Sequence, residues 1–146
     1  MALSVKKIVL WRREADDRAG LGADTVGPLA GTGASLKVVM GYKFPSEPAR
    51  AAVEVWPVAG KKAVAAAQGT GLAAMASPSL LVEGDDRPGL GHAFLQALAD
   101  GGINLDFLVA LVVGRKFSAV FGFKDEGDLK AATPLLKKAA RPPKKK

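Results

Sequence analysis

The chain repeats itself. The segment Asp16-Asp17-Arg18-Ala19-Gly20-Leu21-Gly22 returns as Asp85-Asp86-Arg87-Pro88-Gly89-Leu90-Gly91, six identities in seven positions at an offset of 69. The register continues, since Gly33-Ala34-Ser35-Leu36 matches Gly102-Ile103-Asn104-Leu105 at the same offset. Ala52-Val53 then matches Ala119-Val120 at an offset of 67, so the intervening turn reads as two residues shorter in the second copy. A period of this length points to one small folded unit met twice. Units this short have thin cores, so the two sheets are expected to join edge to edge with their helices on one face.

Each unit reads as strand, helix, strand, strand, helix. In the second, 79–83 is a short apolar strand, and a loop at 84–88 opens a helix over 89–100, with Leu90, Phe94, Leu95 and Leu98 at helical spacing. Gly101-Gly102 stops that helix. Branched apolar residues over 103–113 predict a strand, Gly114-Arg115-Lys116 turns it into a strand over 117–123, and 125–139 carries helical spacing. Pro134 is expected to divide that last helix into two shorter pieces. The first unit follows the same order: strand 5–13, helix 20–30, strands 34–44 and 49–56, helix 60–68. Gly27-Pro28 in mid-helix predicts a shortened or bent element. A fourth strand is expected over 71–76, whereas the second unit has no such strand. The domains are therefore expected at 1–77 and 78–140, followed by a basic Lys/Pro tail at 141–146.

The formal charge of +7 invites a nucleic-acid reading, and its distribution argues against one for the body. Lys137, Lys138, Arg141, Lys144, Lys145 and Lys146 fall in the last ten residues, which leaves 15 basic against 14 acidic residues elsewhere. A dedicated nucleic-acid domain spreads its basic residues over a folded face, so any such binding is expected only through the tail. With no Cys, disulfides and Cys-based zinc sites are excluded. No apolar run approaches a membrane span, and the first residues do not resemble a signal peptide, so a cytoplasmic location without membrane association is expected.

Catalytic, cofactor and metal sites are not expected either. Gly20-x-Gly22 and Gly89-x-Gly91 lack the third glycine of a dinucleotide fingerprint. His92 is the single histidine, and Asp85-Asp86 lacks the further oxygen ligands that a hard cation takes. Trp11, Tyr42, Trp56, Phe117, Phe121 and Phe123 lie among apolar neighbours on expected strands and read as packing rather than as a base-stacking surface.

The strand ending in Asp86-Arg87-Pro88-Gly89-Leu90, the helix it opens, and Gly102-Ile103-Asn104-Leu105 together resemble the ACT domain family. The chain is most similar to the amino-acid-sensing domains of phosphoglycerate dehydrogenase and aspartate kinase, over both repeats. The resemblance implies an α+β fold of two ferredoxin-like βαββα(β) repeats, with antiparallel sheets side by side and helices on one face. It implies a non-enzymatic regulatory protein that holds a small amino acid or related metabolite between ACT-like domains and works through a homo-oligomer or a partner enzyme. The residues it singles out are Asp85, Asp86, Arg87, Gly89, Leu90, Gly91, Asn104 and Leu105 in the second copy. Asp17, Gly20, Leu21 and Ser35 form a more weakly tuned set in the first, where Ala19 and Ser35 replace Pro88 and Asn104. Physical chemistry is compatible: a glycine-opened helix start favours a carboxylate, Asp86 suits an ammonium group, and Asn104 offers a donor and an acceptor. The same residues also fit a purely structural arrangement in which Asp85 or Asp86 caps the helix, Gly89 fits a tight loop and Asn104 closes a turn. A structural or protein-interaction module, nucleic-acid-associated through its tail, is the alternative.

Overall fold

The structure is a computed structural model that describes residues 3–142. Of the basic tail expected at 141–146, residues 143–146 lie outside the described residues. In chain order the elements are β1 (Ser4–Ile8), β2 (Trp11–Asp16), α1 (Leu21–Gly31), β3 (Val38–Phe44), β4 (Glu47–Trp56), α2 (Lys61–Gly69), β5 (Ala73–Ala74), β6 (Ser79–Asp85), α3 (Leu90–Asp100), β7 (Phe107–Val113), β8 (Lys116–Gly122) and α4 (Glu126–Ala139). No helix among the described residues is long and apolar enough to cross a membrane.

The strands form two four-stranded antiparallel sheets, ordered β1-β6-β8-β7 and β3-β4-β2-β5. The chain divides into two compact units, one of Val9–Ala76 and the other of Met1–Ile8 with Ser77–Lys146. In each, a βαββα run is completed by an edge strand beside its first strand. The strand expected over 5–13 is therefore two strands belonging to different sheets. β1 pairs antiparallel with β6, Ser4 opposite Glu83 through Ile8 opposite Ser79, and supplies the fourth strand that the second repeat lacks in sequence. The break at Val9-Leu10 has no glycine or proline to announce it.

Strand register also corrects the repeat alignment. Arg12 stands opposite Glu54 and Leu81 opposite Val120, so an offset of 69 on β2 and β6 becomes 66 on β4 and β8. The turn has lost three residues, not two. A one-residue slip turns every side chain to the other face, and the corrected pairing keeps Val53 and Ala119 both in cores beneath helices.

Each unit has its own core. Leu80, Val82, Phe94, Leu98, Phe117 and Phe121 are among the buried residues of one, with the Phe94 ring 5.5 Å from that of Phe117 and 5.9 Å from that of Phe121. The other is built from smaller side chains, Ala51, Val53, Val55, Ala63 and Ala67 with Leu21 and Leu29. Neither proline breaks its helix: α1 runs through Pro28 and α4 through Pro134. Each proline removes the hydrogen bond to the carbonyl four residues back. Those carbonyls belong to Asp24 and Lys130, both exposed, as are the prolines. The prolines thus lie on solvent-facing sides of their helices, while Leu21, Thr25 and Leu29 in α1 and Leu129, Ala132 and Leu136 in α4 hold the buried faces.

Candidate ligand site at the opening of the third helix

Most of the repeated segment has a structural task. Gly20 and Gly89 cap α1 and α3 with φ of 88° and 83°, left-handed conformations that cost other residues about 1–2 kcal/mol. Leu21 and Leu90 are the first buried residues of their helices. Asp16 pairs with Arg50 across β2 and β4 at 2.9 Å, and Asp85 pairs with Lys116 at the equivalent place across β6 and β8. The hydrogen bond from Lys116 holds the Asp85 carboxyl down to about 2. Arg87 Nη2 donates to the Ala139 carbonyl at 3.0 Å, tying the loop to the end of α4.

Two acids remain. Asp17 accepts an ion pair from Lys43 at 2.9 Å. Asp86 donates its backbone N–H to the Arg115 carbonyl at 2.8 Å, and its carboxylate has no partner among the described residues. The capping role is not realised by either Asp85 or Asp86, because α3 has no side-chain cap. The first intrahelical bond is that of Ala93 to the Gly89 carbonyl, so the amides of Gly91 and His92 have no partner within the helix.

Asp86 lies between two cavities. One, of about 100 Å³, is almost wholly apolar and lies between α3 and β7, with Leu90, Phe94, Leu108, Val112 and Phe121 in its wall. The other, of about 360 Å³, is lined by Asp85, Asp86 and Arg87 with Leu3, Phe117 and Ala140. Asp85, Asp86, Arg87, Gly89, Leu90 and Gly91 thus gather at one end of α3. Asn104 and Leu105 follow its other end, in the loop before β7, and line neither cavity. An eleven-residue helix is about 16 Å long, which separates the two groups within a unit. Ser35 is separated from Asp17, Gly20 and Leu21 by α1 in the same way. Both Asn104 and Ser35 are exposed.

Sequence reasoning missed Glu54. It is 1% exposed on β4, accepts a hydrogen bond from the Tyr42 hydroxyl at 2.6 Å, and its other oxygen has no hydrogen-bond partner among the described residues. The Arg12 guanidinium lies 5.2 Å from the Phe44 ring centroid, and its Nε is likewise without a partner. A lone carboxylate in the run Ala51-Ala52-Val53-Glu54-Val55 was the available signal. No group of three His, Cys, Asp or Glu side chains that could hold a metal occurs among the described residues. The larger groove of about 570 Å³ between α3 and α4 is open, with His92, Asp100 and Lys138 at its margin.

The sequence matches no protein-family model and no curated protein. Solved structures do match. Protein BT0572 from Bacteroides thetaiotaomicron superposes with a TM-score of 0.72 at 13% identity, over 93% of this chain and 89% of that one. The regulatory subunit of aspartate kinase from Thermus thermophilus, in its ligand-free form, matches with a TM-score of 0.65 at 16% identity, over 97% and 99% of the two chains. The fold is the tandem ACT-like fold. The aspartate kinase of Clostridium acetobutylicum, described as an allosteric enzyme, is matched over 95% of this chain but 34% of its own, with a TM-score of 0.60 at 14% identity. Among these ACT-like neighbours are regulatory subunits of aspartate kinase.

Proposed function

We propose that this chain is a non-enzymatic regulatory module that binds a small amino acid at the opening of α3 and thereby changes its association with a partner enzyme or a second copy of itself. The observation that carries the reading is the exposed Asp86 carboxylate, without a partner among the described residues, in the wall of an apolar cavity, next to helix amides with no intrahelical partner. The carboxylate suits an α-ammonium group, the amides of Gly91 and His92 suit an α-carboxylate, and the cavity suits a side chain. Gly89 keeps the approach open, Leu90 floors it, and Asp85 and Arg87 fix the loop. Asn104 and Leu105, at the far end of α3, join such a site only from a neighbouring domain or copy. Asp17, Gly20, Leu21 and Ser35 form the corresponding set of the first repeat.

The edge strand β7 is the surface for a second copy. Of the eight exposed large hydrophobic residues among the described ones, Val109, Leu111, Val112 and Val113 lie on this one strand. Antiparallel self-pairing centred on Ala110 sets Val109 against Leu111 and brings Asp106 of one copy beside Arg115 of the other. A thermal-shift screen of the twenty amino acids tests the ligand reading. At least one is expected to raise the melting temperature of the wild type and not of Asp86→Asn. No shift with any of the twenty removes the reading.

A further inference from the structure

The two repeats differ beside the second aspartate of the repeated segment. In the first, Lys43 on β3 places its Nζ 2.9 Å from Asp17 Oδ2. Lys43 stands opposite Ala51, and Val112 on β7 stands opposite Phe117. With offsets of 69 and 66 these are the same place in the fold, just as Asp17 and Asp86 are. The first repeat therefore has a lysine ammonium resting on the carboxylate whose exposed twin, Asp86, has no partner among the described residues of the second. Where Lys43 pairs with Asp17 in the first repeat, Val112 in the second borders the cavity of about 100 Å³.

We propose that Asp86 is a seat for the ammonium group of a ligand with a short aliphatic body, and that the chain takes this ligand in the second repeat alone because its own Lys43 closes the first. The inference rests on the amino-acid reading for the ligand's class, and it adds the number of sites and the side chain accepted. Among the described residues, Asp86 is the only ionisable one in the cavity wall, which otherwise consists of Leu90, Gly91, Phe94 and apolar residues of β7 and β8. A polar ligand side chain there would lose water without gaining a partner. At ~30 Å³ for each water-sized group, the space holds roughly three or four heavy atoms, as in the side chains of valine and leucine. Among the described residues, the cations beside this loop are engaged elsewhere: Lys116 is paired with Asp85, and Arg87 is bound to the Ala139 carbonyl.

Titration calorimetry on the full chain, with L-leucine and L-valine as probes and 4-methylpentanoate as the control without an amine, tests the proposal. One equivalent of amino acid is expected per chain, with none of the control bound. Asp86→Asn and Val112→Lys should each weaken binding at least tenfold, the second because the introduced amine closes the site as Lys43 does. Two equivalents in the wild type, or undiminished binding by Val112→Lys, overturns the closure while leaving amino-acid binding itself in place. If neither probe binds, the ligand class is wrong, and melting curves then judge the seat. Val112→Lys should melt within about 2 °C of wild type, and adding Asp86→Asn should lower the transition by about 3 °C or more, the scale of one exposed ion pair. Additive effects of the two substitutions remove the seat.

Discussion

Tyr42 and Glu54 show how a single side chain sets a pH dependence. Burial, reinforced by the hydrogen bond and the charge of Glu54, pushes the Tyr42 hydroxyl up to about 12. Between pH 10 and 12 the unfolded chain releases this proton and the folded chain retains it, so the contribution of Tyr42 to stability is constant below pH 10 and falls through that window. Because Tyr42 is 40% exposed, solvent screening keeps the effect below the full value of the shift. Tyr42→Phe should begin about 1–2 kcal/mol less stable at neutral pH, having lost a hydrogen bond to a charged group, and should decline less between pH 10 and 12. Urea titrations at pH 8, 10 and 11.5 check both parts. At Gly89 the backbone decides. A Cβ there meets no atom within 4 Å, yet φ is 83°, so Gly89→Ala should cost about 1 kcal/mol from conformation alone. Gly122→Ala differs, since its Cβ would fall 2.1 Å from the Phe107 ring. A cost of about 1–3 kcal/mol is expected from overpacking, and the shift of the denaturation midpoint measures each.

At the scale of elements, the order of strands and helices was legible because the repeat gives it twice and the apolar spacing gives it again. What escaped was set by exposure and register. Pro28 and Pro134 read as breaks, but both lie on solvent-facing sides of their helices, which no local pattern reveals. The repeat singled out Asp86 in the sequence, whereas Lys43 on Asp17 was not legible: an exposed lysine on a strand gains meaning only once the register places it where Val112 stands. The sheet edges differ in the same way. β1 carries Lys6 and Lys7, β5 has two residues, and β3 carries Lys43 and a register shift at Lys43/Phe44. Such features discourage edge-to-edge pairing. β7, Phe-Leu-Val-Ala-Leu-Val-Val, has none of them. If it pairs with a second copy, Leu111→Lys sets a cation against Val109 and should raise the dimer dissociation constant at least tenfold in sedimentation equilibrium. A wild type that stays monomeric at high concentration counts against that surface.

For the whole molecule, the decisive feature is that the first residues complete the last unit. Five residue pairs join β1 to β6, and Leu3 and Val5 pack against the core that contains Phe94, Phe117 and Phe121. A cut after 77 by sequence repeat would leave β6 as an exposed edge and take two apolar side chains from that core. Burying such side chains is worth about 1.5–3 kcal/mol each when complete, and Leu3 and Val5 are partly buried, so removing residues 1–8 should destabilise this unit by about 2 kcal/mol or more. The loss should be selective. In hydrogen exchange, amides of β6, β8 and α3 should lose protection, while those of β4 and α1, whose core lies wholly within Val9–Ala76, should keep theirs. Joining residues 3–8 by a flexible linker after 142, in a chain that begins at 77, should restore the protection of β6. If that permuted unit exchanges as fast as the truncated one, β1 is not the strand that completes the sheet.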